Sequence, residues 1–167
     1  RVSLSAGIMS TMGYDVIGDI HGHADKLTAL LRELGYRHRL GAWRHPDRSA
    51  IFVGDFIDRG PGQLETIDIV RDMLDAGTAR AVMGNHEFNA IAYHTEWPQG
   101  SGKYLRPHDD PENPWADKNT KQHRAFLDQV TGAERDHYLE WFKAIPMWLD
   151  LGELRVVHAC WHDESIA

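Results

Sequence analysis

The chain has 167 residues, enough for one domain with a sizeable core, and an ordinary globular composition of 42% hydrophobic and 26% charged residues. Its formal charge of −7 argues against nucleic-acid binding, which needs a basic footprint, and no apolar run reaches the roughly 20 residues of a membrane span. A single cysteine, Cys160, excludes an internal disulfide framework and sets a reducing cytoplasm as the expected location, and Arg1–Thr11 lacks the basic, apolar, small-residue order of a signal peptide.

Tyr14–Gly18 reads as a short buried strand that ends in Asp19. A helix follows from about Ala24, with Leu27, Leu30, Leu31 and Leu34 at helical spacing and Gly35 closing it. Ala50–Val53 is a second apolar strand, running into Gly54-Asp55. A second helix is expected over Gln63–Ala76, with Leu64, Ile67, Val70 and Leu74 on one face and Gly77 as its cap. Ala79–Met83 is a third strand, leading into Gly84-Asn85-His86-Glu87.

Thr95–Asn119 differs, holding four prolines with Gly100 and Gly102, so it reads as a long irregular excursion of the kind that is usually functional or disordered. Helices follow at about Thr120–Val130 and Ala133–Ala144, the second opened by Thr131 and Glu134 at capping-box spacing and followed by Pro146. Met147–Leu151 and Leu154–Val157 read as a hairpin around Gly152-Glu153 that ends in His158. The order β-α-β-α-β, a helical insertion over about 95–145, then further strand, predicts an α/β domain over 12–167 with parallel strands at its start. The chain opens on Arg1, with Met9 and Met12 just before the first strand, and stops at Ala167 soon after an internal-looking strand. Extra residues at one end and missing ones at the other are both expected possibilities.

Asp19, Asp55, Asn85 and His158 each stand just beyond the carboxyl end of a predicted strand, where open α/β sheets gather their ligands. Asp19 and His21 lie two residues apart, so both can reach one ion. Carboxylate, amide and imidazole ligands suit Mn, Fe or Zn better than Ca, and the absence of cysteine among them argues against a closed structural zinc site. Two ions about 4 Å apart can hold a phosphate and make a nucleophile from water, which is what slow phosphate-ester hydrolysis requires. On this reading Asp55 bridges both ions. His86 protonates the leaving oxygen, Asp58 orients His86, and Arg59 grips the phosphate. Gly54, Gly60 and Gly84 permit tight loops and close backbone approach.

Gly18-Asp19-Ile20-His21-Gly22, Gly54-Asp55-Phe56-Ile57-Asp58-Arg59-Gly60 and Gly84-Asn85-His86-Glu87 resemble the three signature motifs of the phosphoprotein-phosphatase branch of the calcineurin-like metallophosphoesterases. That branch includes phage-type serine/threonine protein phosphatases and bacterial diadenosine tetraphosphatases. The resemblance spans about Val16 to Ala159 and ends in Val157-His158-Ala159. It implies a four-layer αββα sandwich with mixed sheets. It also implies Asp19 and His21 on a first metal, Asp55 between the two, and Asn85 and His158 on a second. His86 with Asp58 would be the acid pair and Arg59 the phosphate clamp. The ions it implies are Mn, with Fe, Zn, Ni or Co as alternatives, and the substrates are phosphoproteins or small phosphoesters.

The chain departs from that pattern in two places. A further metal-binding His on a later strand has no counterpart, since His162 is only four residues past His158, and Cys160 stands where the family usually has Gly. C-terminal truncation is the expectation that follows, with a degraded second metal site as the alternative. The leading function is a phosphatase of the protein-phosphatase type, with a diadenosine polyphosphate hydrolase as the alternative and a non-catalytic metal-binding domain as the reading from another class. Of the remaining histidines, His23 beside the first motif is the one to watch, and the others, His123 included, are expected at the surface or in loops. Trp141, Trp148 and Trp161 are expected in the core, and Cys160 as buried filler.

Overall fold

The computed structural model describes residues 13–166, so the readings made for Arg1–Thr11 and the domain boundaries at Met12 and Ala167 lie outside the described residues. Strands Gly13–Ile17 (β1), Arg48–Phe52 (β4) and Ala79–Ala81 (β5) form a parallel sheet in the order β1-β4-β5, with Ile17 opposite Phe52 and Phe52 opposite Ala81. Parallel neighbours need crossovers. Helix Ala24–Glu33 (α1) and the hairpin Arg37–Arg39 (β2) and Ala42–Arg44 (β3) make the first, and helix Gln63–Asp75 (α2) makes the second.

The central strand β4 is covered on both faces, and its alternation divides the core in two. Ala50 and Phe52 join a large cluster with Ile17, Leu27, Leu31, Ile67, Val70 and Met73 from the strand and helices around them. Ile51 instead meets Val82 and Val156, with Val53, Leu149 and Leu154 packed against them. Those last residues bring in the antiparallel pair Trp148–Asp150 (β6) and Arg155–Val157 (β7), which lies on the sheet face opposite the helices. Among the described residues three of the four expected layers can thus be followed, helical, parallel and antiparallel, and the fold is mixed α/β as expected. Phe52 and Ile51 are fully buried, and each stabilises the fold by about 1.5–3 kcal/mol.

Helices Asn85–Tyr93 (α3), Ala116–Gln129 (α4) and Gly132–Ala144 (α5) enlarge the helical side, with Phe126 and Phe142 fully buried in the main cluster. The last helical turn, Asp163–Ile166 (α6), buries nothing. No helix among the described residues is long and apolar enough to cross a membrane.

Several local expectations are corrected. Among the described residues β1 lies at the edge of the sheet rather than buried, with Tyr14 and Val16 exposed and Ile17 alone turned into the core. Leu30 of α1 is exposed too, because Ala24, Leu27 and Leu31 already fill the stripe facing the sheet. α4 starts at Ala116, four residues ahead of the expected position, and no side-chain hydrogen bond from Thr131 caps α5. Trp148 lies 39% exposed on β6, Trp161 is only partly covered, and Cys160 is exposed rather than buried.

Candidate metal centre

Three loops from the carboxyl ends of the parallel strands, and one from β7, meet at a single point. The first two are sewn together through backbone groups. Ile20 and His21 donate to the Asp55 carbonyl at 3.0 and 2.9 Å, Gly22 donates to the Phe56 carbonyl, and Gly60 returns a bond to His21. The approach leaves no room for side chains. A Cβ on Gly60 would run into the backbone of His21 and Gly22, and one on Gly84 into the Asp55 carboxylate and amide. The chain reaches this geometry with four non-glycine residues at positive φ: His21 at 50°, Asp55 at 56°, Asp58 at 72° and Arg59 at 70°. Such conformations cost on the order of 1–3 kcal/mol each and persist where surrounding structure enforces them, characteristically at functional sites.

Two ligand sets share Asp55. His21, Asp55 and His86 offer atoms that all lie within 4.8 Å of one another, and so do Asp19, Asp55 and His158. His21 Nε2 faces Asp19 Oδ2 at 3.6 Å and Asp55 Oδ2 at 4.0 Å, while His158 Nε2 faces Asp55 Oδ1 at 3.6 Å and Asn85 Oδ1 at 3.1 Å. Both imidazoles are tethered through their other nitrogen. His21 Nδ1 donates to the Ile57 carbonyl at 3.0 Å, and His158 Nδ1 to the Val53 carbonyl at 2.6 Å. That tether fixes the tautomer with a lone pair on Nε2, the arrangement found behind metal-ligating histidines. Lone pairs facing carboxylate and amide oxygens at 3.1–4.0 Å are separated as ligands around an ion with bonds of about 2.0–2.2 Å would be. The donor set therefore fits divalent cations of the Mn or Zn kind.

Next to this centre Asp58 is 2% exposed and uses both carboxylate oxygens. His86 Nδ1 donates to Oδ2 at 2.6 Å, and His123 Nδ1 to Oδ1 at 2.8 Å. Burial alone would raise the Asp58 carboxyl, but the two imidazole hydrogen bonds outweigh it and hold the group below the ordinary carboxylate range. Burial likewise works against the His86 imidazolium. The Asp58 hydrogen bond, with the charges of Asp55 and Asp58, reverses that and raises it. His86 Nε2 is left facing Asp55 Oδ2 at 3.8 Å.

Glu87 joins the second and third loops. It is fully buried and accepts the amides of Asp55 at 2.8 Å, Phe56 at 2.7 Å and Gly84 at 3.0 Å, with Ile57 more distant at 3.4 Å. Burial pushes its carboxyl up, and the amide hydrogen bonds oppose that shift without cancelling it. Gln63, also fully buried, accepts from the Asp58 amide at 2.8 Å and donates to the Gly60 carbonyl at 2.8 Å, holding the strained turn.

Arg59 is exposed, and no carboxylate pairs with it among the described residues. It sits between two cavities. One, of about 400 Å³, is lined by Asp19, His21, His23 and Lys26; the other, of about 570 Å³, by His86, Lys121, Gln122, Arg124 and Asp128.

The structure brings Asp19, His21, Asp55, Asn85 and His158 together, with His86, Asp58 and Arg59 alongside. Asn85 is the first residue of α3, whose N-cap is Gly84. His123 is the main correction among the histidines: it is 3% exposed and bonded to Asp58. Glu87 had been noted only as part of a motif. Its place three residues after the N-cap Gly84 is the capping-box position, and that spacing was the available signal. For His123 the signal was its place on one helical stripe with Phe126 and Val130.

The calcineurin-like phosphoesterase family matches residues 12–165. Among individual relatives, bis(5'-nucleosyl)-tetraphosphatase PrpE of Halalkalibacterium halodurans is 49% identical over 76 residues, covering 45% of this chain and 31% of that protein. PrpE of Geobacillus sp. (strain WCH70) is 30% identical over 151 residues, covering 89% of this chain and 57% of that protein. The chain spans between about a third and somewhat over half the length of these relatives. In fold it is similar to the cold-active protein-tyrosine phosphatase of a psychrophilic Shewanella species, with a TM-score of 0.56 at 20% identity, over 92% of this chain and 43% of that one. By motif order, strand-end placement and family match, the chain belongs to the calcineurin-like phosphoesterases.

Proposed function

We propose that this chain carries the catalytic centre of a metal-dependent phosphoester hydrolase whose substrate is a bis(5'-nucleosyl) tetraphosphate. The observation that carries the reaction is the meeting of Asp19, His21, Asp55 and His158 at one point, with His86 on Asp58 against it. Two divalent ions held there, Mn²⁺ in this proposal, would neutralise phosphate charge and lower the pKa of water. Asp19 and His21 would hold one ion, Asn85 and His158 the other, and Asp55 both. Arg59, free of carboxylate partners among the described residues, binds phosphate oxygens bidentately. His86, oriented by Asp58, delivers a proton to the leaving oxygen.

The substrate class is supported by the name the relatives carry and by the cavity beyond His86. There Lys121 extends the cationic lining past Arg59, in a chain of net charge −7, as several consecutive phosphates would require, while Arg124 pairs with Asp128 at 3.8 Å in the same lining. One observation favours a second reading. A proton donor backed by a buried carboxylate matters most when the leaving oxygen is strongly basic, as in an alkyl phosphomonoester or phosphoserine. A cytoplasmic setting is supported by the single, unpaired Cys160.

The test is hydrolysis by the purified Mn²⁺-loaded protein of bis(5'-adenosyl) tetraphosphate, a phosphoserine peptide and p-nitrophenyl phosphate, with Asp55→Asn and His86→Ala as controls. Highest kcat/KM on the tetraphosphate, lost in both controls, is the expected result. Preference for the phosphopeptide would install the second reading. Silence on all three with metal bound would reject both in favour of a non-catalytic metal-binding domain.

A further inference from the structure

We infer that His123, on the inserted helix α4, is a positioning residue that holds the Asp58 carboxylate in the orientation from which it directs His86. The inference rests on the reading of His86 as proton donor. The sole side-chain hydrogen bond His123 makes among the described residues is Nδ1 to Asp58 Oδ1 at 2.8 Å, and its Nε2 is buried with no partner. The rest of the ring is held by aromatic neighbours. It stacks on Phe126 at 4.8 Å and 24°, and approaches Tyr93 at 5.2 Å and His94 at 5.8 Å.

A pocket of that kind would take a phenyl ring at no cost in polar burial, whereas an imidazole there leaves one nitrogen desolvated and unpaired. Nothing in the packing calls for a histidine. What histidine adds is the bond to Asp58, and its effect is directional. With Oδ1 fixed by His123, the carboxylate plane is set and Oδ2 lies 2.6 Å from His86 Nδ1, which leaves His86 Nε2 turned toward Asp55. Asp58 sits at a strained φ of 72° with its amide tied to Gln63, so its backbone cannot supply this orientation by adjusting. The result is a His–Asp–His relay in which the second imidazole orients the carboxylate, as a carboxylate orients the imidazole in hydrolytic triads.

The experiment compares three variants of the Mn²⁺-loaded protein. His123→Asn keeps a donor at the place of Nδ1. His123→Gln is polar with its donor displaced, and His123→Phe keeps the ring without a donor. Each is assayed on p-nitrophenyl phosphate and on a simple alkyl phosphate, whose leaving oxygen depends far more on protonation, with His86→Asn as reference. The Phe and Gln variants are expected to lose roughly tenfold in kcat on the alkyl phosphate, a fraction of the 10²–10⁴ a general acid contributes, and much less on p-nitrophenyl phosphate, with KM unchanged. Asn is expected to restore most of the rate. In metal-free protein, ¹⁵N-histidine spectra should show protected Nδ1–H signals for His86 and His123 beside those of the carbonyl-tethered His21 and His158, with the His86 signal shifted or broadened in Phe and Gln and restored in Asn.

Equal losses on both substrates, or an undisturbed His86 signal, would overturn the inference and leave His123 as packing. A His86→Asn variant that itself shows no dependence on the leaving group would remove the proton-donor reading and this inference with it. A normal His86→Asn signature beside a silent His123 series would remove this inference alone. Gln keeps the test decisive should the Phe variant fail to fold.

Discussion

Replacing Glu87 with Gln changes one atom and tests whether a single buried carboxylate holds the centre together. Its Oε2 accepts the amides of Asp55 and Gly84, and its Oε1 those of Phe56 and, weakly, Ile57. Whichever way the Gln amide is placed, its NH₂ group meets two amide donors and leaves them without acceptors. Each buried amide so orphaned costs about 1–3 kcal/mol, for a sum of about 2–6 kcal/mol. Glu87 is also fully buried and charged, with its carboxyl pushed up by desolvation, so removing the charge returns part of that cost. The expected loss is therefore in the lower half of the range, about 2–4 kcal/mol, against a typical domain stability of about 5–15 kcal/mol.

Urea unfolding of metal-free protein reads this as a lower midpoint at unchanged slope. Asp55 belongs to both ligand sets, and the Glu87 carboxylate ties its amide to those of Phe56 and Gly84, so metal affinity should weaken in parallel. A Glu87→Gln protein within about 0.5 kcal/mol of wild type, inside the spread of ordinary surface substitutions, would refute the reasoning. It would mean that the amides find water or another partner.

Three other outcomes follow from the same geometry. Gly54→Ala, at a φ of 90° with its Cβ driven into the Gly84 backbone, should lower stability by roughly 2–4 kcal/mol, measured by thermal unfolding. Asp55→Asn should weaken Mn²⁺ retention at both positions at once, by more than the roughly 10–100-fold that losing an outer partner of a ligand costs; elemental analysis after gel filtration reads it, and loss of one ion alone would contradict the bridging role. Burial holds the His94 imidazole down at about 4, so above pH about 6.5 the folded and unfolded forms are both neutral there, and between about 6.5 and 4 only the unfolded chain takes the proton. Stability should accordingly fall as pH drops through that window, and His94→Phe should flatten the dependence of the urea midpoint on pH.

The centre was legible because its chemistry is written in consecutive residues at strand ends. Asp55 and Asn85 each follow a glycine that the close loop packing demands. Hydrophobic spacing found α1 and α2 for the same local reason. The hairpin of β2 and β3 escaped notice because its strands are three residues each and its turn is Leu40-Gly41, with Leu40 at a φ of 50°, rather than an asparagine-glycine pair. α3 was hidden because one of its buried positions is Glu87, a charge where periodicity looks for an apolar side chain. His123 was missed for the opposite reason. Its stripe reads as core, but its meaning depends on Asp58, 65 residues away, and no local pattern carries that pairing.

The carboxylates of the centre sort themselves by what satisfies them, and this bears on what metal removal does. Asp58 is held by two imidazoles and Glu87 by backbone amides, so both are provided for within the protein. The Asp55 carboxylate receives only the His86 amide at 2.9 Å, and its other oxygen faces ring nitrogens of His21 and His86, as Asp19 faces that of His21. The cation-demanding groups are therefore distinct from those that hold the loops in place. The loops are fixed by Glu87, Gln63, the glycine contacts and the carbonyl tethers of His21 and His158, none of which involves an ion. A structural zinc site behaves differently, since folding there is coupled to the metal. Chelation is thus expected to leave secondary structure and near-UV dichroism intact. Mn²⁺ at about 100 times its dissociation constant should add about 2.7 kcal/mol by mass action. Loss of the near-UV signal on chelation would show that the ions, rather than the buried carboxylate and amide bonds, assemble the site.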